Sequence, residues 1–188
     1  MIAVWLCYNR AIPDRGLSAE QRALSRAVTA LLEDRFMACH SALQFVQHSG
    51  KFYRDIVGAY PRARGLPGGA PGGTTKFKDL ASSHVTVAKA RGLDRLKWSE
   101  VARRGLEDLK AVSRLLGDGP FLFGQSEARS ADCALFACAS CLLAADLADD
   151  TPFRTEVMRG DGELSNLRHH WLRMKERYWA DWDDILQS

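Results

Sequence analysis

The sequence predicts an all-α fold, and three observations lead to that class. Apolar residues recur at helical spacing from Leu24 to Val46. A second apolar run, residues 133–145, opens directly after an acidic residue, which is a start signal for a buried helix. No segment shows the regular period-2 alternation of a half-buried β-strand. With 188 residues, the chain is long enough for one domain with a substantial core.

The first predicted helix starts at Ser18, because Ser18 and Gln21 have the spacing of a capping box. It is expected to end near residues 49–50, where Gly50 can adopt a left-handed cap. A second helix is predicted within residues 52–60. The residues expected on the buried face of the first helix are Leu24, Val28, Leu31, Leu32, Cys39, Leu43 and Val46.

Residues 61–75 are predicted to form a flexible surface loop. They contain Pro61, Pro67, Pro71 and five glycines, so they cannot propagate a helix or bury their backbone without leaving it unpaired. A phosphate-binding loop is a poorer interpretation, because residues 72–76 (Gly-Gly-Thr-Thr-Lys) have the wrong order for that motif.

Two helices are predicted next, one within residues 76–90 and one from Ser99 to Leu116. Ser99 is the expected cap of the longer one, and residues 117–120 (Gly-Asp-Gly-Pro) are its expected stop. Its inward stripe is expected to comprise Val101, Leu106, Leu109, Val112 and either Leu115 or Leu116.

Two more helices are predicted towards the end of the chain. Either Asp150 or Thr151, followed by Pro152, is typical of a cap and first helical residue. Asn166 is the expected start of the last long helix.

A buried segment, residues 121–124 (Phe-Leu-Phe-Gly), is followed by Ser130 and Asp132 ahead of the apolar run. We predict that Asp132, with Ser130, caps the buried helix as a structural residue. This stretch resembles the core of the C-terminal domain of glutathione transferases, in which the matching Asp has that role. Arg129 stands where that family usually has Ser or Thr, so a cap shifted to Ser130 is the alternative.

Three further blocks are similar to the failed axon connections proteins, which are relatives of the metaxins. They are residues 17–36, 115–121 and 166–182. The resemblance implies a glutathione transferase C-terminal-like helical domain over residues 14–188. It also implies that a thioredoxin-like half is absent here, with residues 1–12 as the remnant of that half's last helix.

In glutathione transferases the missing half supplies the activating residue and most contacts to glutathione. The resemblance therefore implies no catalytic residue in this chain, no cofactor, and glutathione binding only if that half is present. The first long helix of the family's domain walls the electrophile pocket, which makes Phe36 and His40 candidate pocket-wall residues. Trp5, Trp179 and Trp182 are candidates for a partner face, the alternative for the C-terminal pair being packing onto the bundle.

Composition excludes several classes of function. The net charge of +3 comes from interspersed residues of both signs, so no nucleic-acid partner is expected. No apolar run reaches the ~20 residues of a transmembrane helix, and the N-terminal run makes a poor signal peptide, so a cytosolic location is expected. Metal binding is not expected, because His40, His48, His84 and the pair at 169–170 fit surface or helix-face positions better than a ligand set.

Five cysteines in a chain without secretory features indicate thiols in a reducing compartment. Cys138 and Cys141 have the CxxC spacing but lie well inside a predicted helix, where packing is the favoured role over redox chemistry. A thiol- or metal-sensing role for these residues and Cys133 is the third and weakest functional hypothesis. The leading one is a non-catalytic domain acting through a protein partner or a homodimer, and the competing one is the C-terminal part of an active glutathione transferase.

Overall fold

The computed structural model of the protein describes residues 14–47, 82–143 and 151–182. Within these ranges the chain forms six helices and no β-strand, so the predicted all-α class is confirmed. The helices are α1 (residues 19–47), α2 (residues 82–90), α3 (Trp98–Leu116), α4 (Ser130–Leu143), α5 (Pro152–Met158) and α6 (Ser165–Tyr178), with short 3-10 turns at Leu93–Arg95 and Leu122–Gly124.

Helix α1 begins with the predicted capping box. The Ser18 hydroxyl accepts from the Gln21 N–H at 3.1 Å, and the Gln21 side chain accepts from the Ser18 N–H at 3.0 Å. The helix alternates between two geometries, a feature the sequence did not predict. Its consecutive segments are α-helix Ala19–Ala30, π-helix Leu31–Phe36, α-helix Met37–Ala42 and π-helix Leu43–Gln47.

The π turns change which residues of α1 face the core, because each wider turn adds a residue to the helical repeat. Val28, Leu32, Phe36, Cys39 and Leu43 are all buried. The prediction for Leu24 was wrong, since this side chain is 44% exposed. In the first turns the buried face runs through Ser25 and Val28 instead.

Several predictions for the next stretch of chain fall on residues that the structure does not describe. These are the end of α1 near residues 49–50, the helix within residues 52–60 and the loop at 61–75. Residues 82–90 are helical, in agreement with the helix predicted within residues 76–90.

Helix α3 starts earlier than predicted. Its cap is Lys97, which has extended backbone angles and whose carbonyl accepts the first helical hydrogen bond from Val101 N–H, so Ser99 lies inside the helix. The helix ends at Gly117, where the backbone takes a φ of 56°, as the Gly-Pro stop predicted. Leu116 rather than Leu115 faces the core, being 4% against 41% exposed.

Thr151, one of the two predicted caps, is the cap of α5, and Pro152 is its first residue, as predicted. Helix α6 begins at Ser165, one residue before the predicted start. Asn166 instead ties α6 to the end of α3, because its Nδ2 donates to the carbonyls of Ser113 and Gly117 at 2.9 and 3.0 Å.

Helix α4 is the central helix, since most of its residues are buried and it contacts α1, α5 and α6. The main hydrophobic core lies between α1, α3, α4 and α5, and a smaller aromatic core joins α4 to α6. In the part of the chain that the structure describes, no helix combines the length and hydropathy of a membrane span. Residues 1–12 lie outside the described ranges, so the proposed domain boundary stays a prediction.

Candidate functional site

The start of helix α4 is organised by the carboxylate of Asp132, which is fully buried. Its Oδ2 accepts from the N–H of Arg129 and its Oδ1 from the N–H of Leu122, both at 2.9 Å. The Arg129 carbonyl accepts the first helical bond, from Cys133 N–H at 3.2 Å, so Arg129 is the cap and Asp132 the third helical residue. Asp132 thus supplies the backward-reaching half of a capping box.

Ser130 occupies the first helical position, not the cap, and is exposed. Its backbone N–H donates to Oδ1 of Asp14 at 3.1 Å. The other oxygen of Asp14 accepts from the hydroxyl of Ser25, on α1, at 3.3 Å. Sequence reasoning missed Asp14, because 116 residues separate it from Ser130 and nothing local marks the pairing.

His170 of α6 completes the surroundings of Asp132. Its Nε2 lies 2.9 Å from Asp132 Oδ1, and both side chains have no exposed surface. The ring of Phe121 stands edge-on to the imidazole, with centroids 6.0 Å apart. Because solvent cannot reach either group, the Asp–His pair acts as a structural tie between helices. Of the two settings predicted for the histidines, surface or helix face, His170 therefore has the second, on the buried face of α6.

A signal for the burial of His170 was present in the sequence. Leu167 and Met174 flank it at positions i−3 and i+4, and all three lie on the buried face of α6. The neighbouring His169 is exposed, as predicted.

The segment that carries Leu122 has an unusual backbone. Phe123 has a φ of 62° and Gly124 one of 68°, and a left-handed φ is uncommon for any residue other than glycine. The turn lets the Phe123 carbonyl accept from the Gln21 side chain of α1 at 3.4 Å. Phe121 and Leu122 are fully buried beside it, so this segment, residues 121–124, straps α1 to α4 and α6.

Phe36 and His40, the candidate pocket-wall residues, lie inside the main core, 0% and 2% exposed. Phe153 of α5 covers both, with ring centroids 5.2 Å from Phe36 and 6.1 Å from His40. Gly105 makes room for that ring, since a Cβ there would lie 2.5 Å from Phe153 Cζ. In the described residues these two side chains offer no open surface to a ligand such as glutathione, and their pocket role stays a prediction.

The C-terminal aromatic residues pack around Phe136 of α4. Trp179 stacks on it with centroids 4.4 Å apart and an interplanar angle of 9°, and Trp182 meets it edge-on at 5.5 Å. Trp171 donates from Nε1 to the Ser140 hydroxyl at 2.9 Å. Trp179 is 3% exposed and Trp182 is half-buried, so only Trp182 retains surface for the predicted partner face. Trp5, the third candidate, lies outside the described residues.

The described cysteines lie in two settings. Cys39 and Cys138 are buried, and desolvation raises the pKa of both thiols. Cys141 is exposed, one turn after Cys138, so the CxxC pair lies inside α4 as predicted. A raised thiol pKa is the opposite of what redox or nucleophilic chemistry needs. Among the described residues no group of three or more His, Cys, Asp or Glu side chains could hold a metal ion.

Asp108 is a buried carboxylate that sequence reasoning also missed. It is 3% exposed on α3, and Arg35 Nε of α1 lies 3.3 Å from its Oδ2. Burial raises the pKa of Asp108, while the Arg35 guanidinium opposes that rise. This ion pair joins α1 to α3, and Asp108 in turn contributes to the raised pKa of Cys39.

Comparison with known proteins agrees with this architecture. Residues 105–174 match the model of the glutathione S-transferase C-terminal domain. The chain is also 30% identical over 184 residues to the protein "Failed axon connections" of Drosophila melanogaster. That alignment covers 92% of this chain and 41% of the relative, so the chain spans less than half of the relative's length. No solved structure shows significant similarity to the chain.

Residues 105–174, which lie in an all-helical unit with α4 at its centre, are thus similar to the glutathione S-transferase C-terminal domain. Over most of its length the chain is distantly homologous to Failed axon connections.

Proposed function

We propose that this helical domain is non-catalytic in this form and acts through protein–protein contacts in the cytosol, either with a partner or with a second copy. One observation carries the proposal. Among the buried side chains that the structure describes, Asp132 and His170 hydrogen-bond to each other, and the thiols of Cys39 and Cys138 have raised pKa values.

Glutathione conjugation requires a group that holds the tripeptide's thiol as a thiolate and a surface that receives the electrophile. Phe36 and His40, the residues that the resemblance assigned to such a surface, are covered by Phe153.

Catalysis is tested by applying the purified, reduced chain to immobilised glutathione and by following conjugation of glutathione to a chromogenic aryl halide. An authentic glutathione transferase serves as the positive control. We expect no retention and a conjugation rate equal to that of buffer. A rate that scales with the concentration of the chain would overturn the non-catalytic assignment.

Protein contact is tested by measuring the molar mass in solution by light scattering over a wide range of concentrations. We expect a dimer, or a stable complex with a defined protein partner, that Trp182→Ser weakens. Leu115→Ser is the matched control, because Leu115 is 41% exposed on a different helix. A chain that stays monomeric, binds no partner and exposes no apolar surface to a hydrophobic dye contradicts the proposal.

The alternative is that the domain forms the C-terminal part of a glutathione transferase and conjugates glutathione to electrophiles when joined to its thioredoxin-like half. The match of residues 105–174 to the glutathione S-transferase C-terminal domain favours it. The test is to sequence the transcript upstream of the codon for Met1 and to examine the residues that it encodes. A strand–helix–strand pattern with a Tyr, Ser or Cys near its start, and turnover by the joined protein, would establish this alternative.

A further inference from the structure

The carboxylate of Asp14 connects the point where the described chain begins to two helices. One oxygen accepts from the backbone N–H of Ser130, the first residue of α4, at 3.1 Å. The other accepts from the hydroxyl of Ser25 on α1 at 3.3 Å. A single side chain therefore bridges the N-terminal end of α4 and the second turn of α1.

Both donors, the N–H of Ser130 and the hydroxyl of Ser25, need an acceptor. The N–H of Ser130 lies in the first turn of α4, where helical N–H groups have no partner within the helix. Ser25 is 1% exposed, so its hydroxyl has little access to water. A carboxylate suits this position because it also interacts favourably with the positive end of the helix dipole. Asp132 binds the preceding N–H, of Arg129, from inside the bundle, so α4 begins between two carboxylates.

The residues after Asp14 are fixed at the same corner. Leu17 is 3% exposed, and its carbonyl accepts from the guanidinium of Arg22. Gly16 has a φ of +86°, a conformation that favours glycine, and turns the chain past Arg129 into the capping box of α1. The segment of residues 14–18 is thus held by side-chain contacts at its beginning and by the helix cap at its end.

We infer that Asp14 is a clasp that fixes the direction in which the chain enters the bundle. By completing the start of α4 and binding Ser25, it makes residues 14–18 a rigid joint between the helical domain and the residues that precede it. The backbone at Asp14 is then held at one defined place, beside the starts of α1 and α4.

The clasp is tested in the full chain with Asp14→Ala, and Asp118→Ala serves as the matched control because Asp118 is exposed. Hydrogen exchange followed by mass spectrometry is expected to show faster exchange in peptides that cover residues 14–22 and 126–133 together. Peptides from α3 and α6 are expected to keep their protection. Trypsin should cleave after the exposed Arg15 about three- to tenfold faster than in the unaltered chain, the range that loss of a helix-capping side chain gives.

Two conservative variants separate a clasp from a general loss of stability. Asp14→Asn keeps one oxygen for Ser130 and a polar atom for Ser25, so it should restore most of the protection. Ser25→Ala removes the hydrogen bond from Ser25 to Asp14. It should therefore raise hydrogen exchange more in residues 14–22 than in residues 126–133. Unchanged exchange and cleavage in Asp14→Ala, or a uniform rise over all helices, would overturn the inference.

Discussion

Asp132 and His170, 38 residues apart in sequence, meet at 2.9 Å in a place where neither has exposed surface. The same carboxylate oxygen accepts from the N–H of Leu122, so one atom joins the strap, α4 and α6. Its partner oxygen accepts from Arg129 N–H. Both oxygens of the buried carboxyl group thus accept from backbone donors, which is the condition under which burial of such a polar group is tolerated.

Replacing Asp132 with Ala is expected to lower the free energy of unfolding by about 2–4 kcal/mol, because two backbone donors lose their acceptor and a buried imidazole loses its hydrogen-bond partner. Asp132→Asn should also be destabilising, since its amide nitrogen must face one of the backbone N–H groups. Urea unfolding followed by circular dichroism measures both. Asp118→Ala, at an exposed site, should stay within about 0.5 kcal/mol of the unaltered protein. A loss below about 1 kcal/mol in Asp132→Ala would show that the pair is not a structural tie.

Gly105→Ala is expected to destabilise the domain by about 1–3 kcal/mol, partly offset by the better helix propensity of Ala. The added Cβ would lie 2.5 Å from Phe153 Cζ, and that ring is fully buried and cannot move freely. Thermal unfolding measures the effect. Gly160→Ala is the control, because nothing lies within 4 Å of a Cβ at that position. Phe153→Leu in the Gly105→Ala background should recover part of the loss, and failure to do so would mean that another contact is responsible.

Asp108 should make the stability of the protein depend on pH. Burial raises the pKa of Asp108, so the folded state binds this proton more tightly than the unfolded state. The corresponding contribution to stability is present below the ordinary carboxyl pKa and is lost as the pH rises through the raised value. Asp108→Asn removes this titration, so the stability of the variant should depend less on pH. Its gain in stability over the unaltered protein should be largest near neutral pH.

The measurement for Asp108 is the urea midpoint of both proteins from neutral pH to below about pH 4, the ordinary range of a carboxyl. The difference in urea midpoint between Asp108→Asn and the unaltered protein should shrink as the pH falls. Asp161→Asn, at an exposed position, should give no such trend. If Asp108→Asn is instead least stable near neutral pH, the ion pair with Arg35 outweighs the cost of burial.

The cysteines should differ in reactivity in the folded protein. Cys141 is exposed and should be alkylated by iodoacetamide well before Cys39 and Cys138, which are buried and have raised pKa values. Peptide mass spectrometry after short exposure gives the order. In urea all three should react at similar rates, which controls for intrinsic differences. Early labelling of Cys138 in the folded chain would contradict its burial in α4.

The helical architecture was predictable where its signals are local. The capping box of Ser18 and Gln21, the stop at Gly117 and the Thr151–Pro152 start each depend on residues within one or two turns, and the structure has each where the sequence placed it. The start of α3 was misplaced because Lys97 caps through its backbone alone, which leaves no side-chain signal.

Contacts between distant residues were beyond this kind of prediction. The pairing of Asp14 with Ser130 and the packing of Phe153 on Gly105 depend on how the helices meet, which a sequence pattern does not specify. His170 is an intermediate case, since its spacing from Leu167 and Met174 indicated a buried position. Its partner, Asp132, could be identified only from the fold.

The aromatic core around Phe136 has a practical consequence. Three of the five tryptophans of the protein, Trp171, Trp179 and Trp182, surround this one ring. Intrinsic tryptophan fluorescence therefore reports mainly on the packing of α6, with the residues that follow it, against α4. An emission change without a change in helix content would report that this helix has detached while the remaining bundle stays intact.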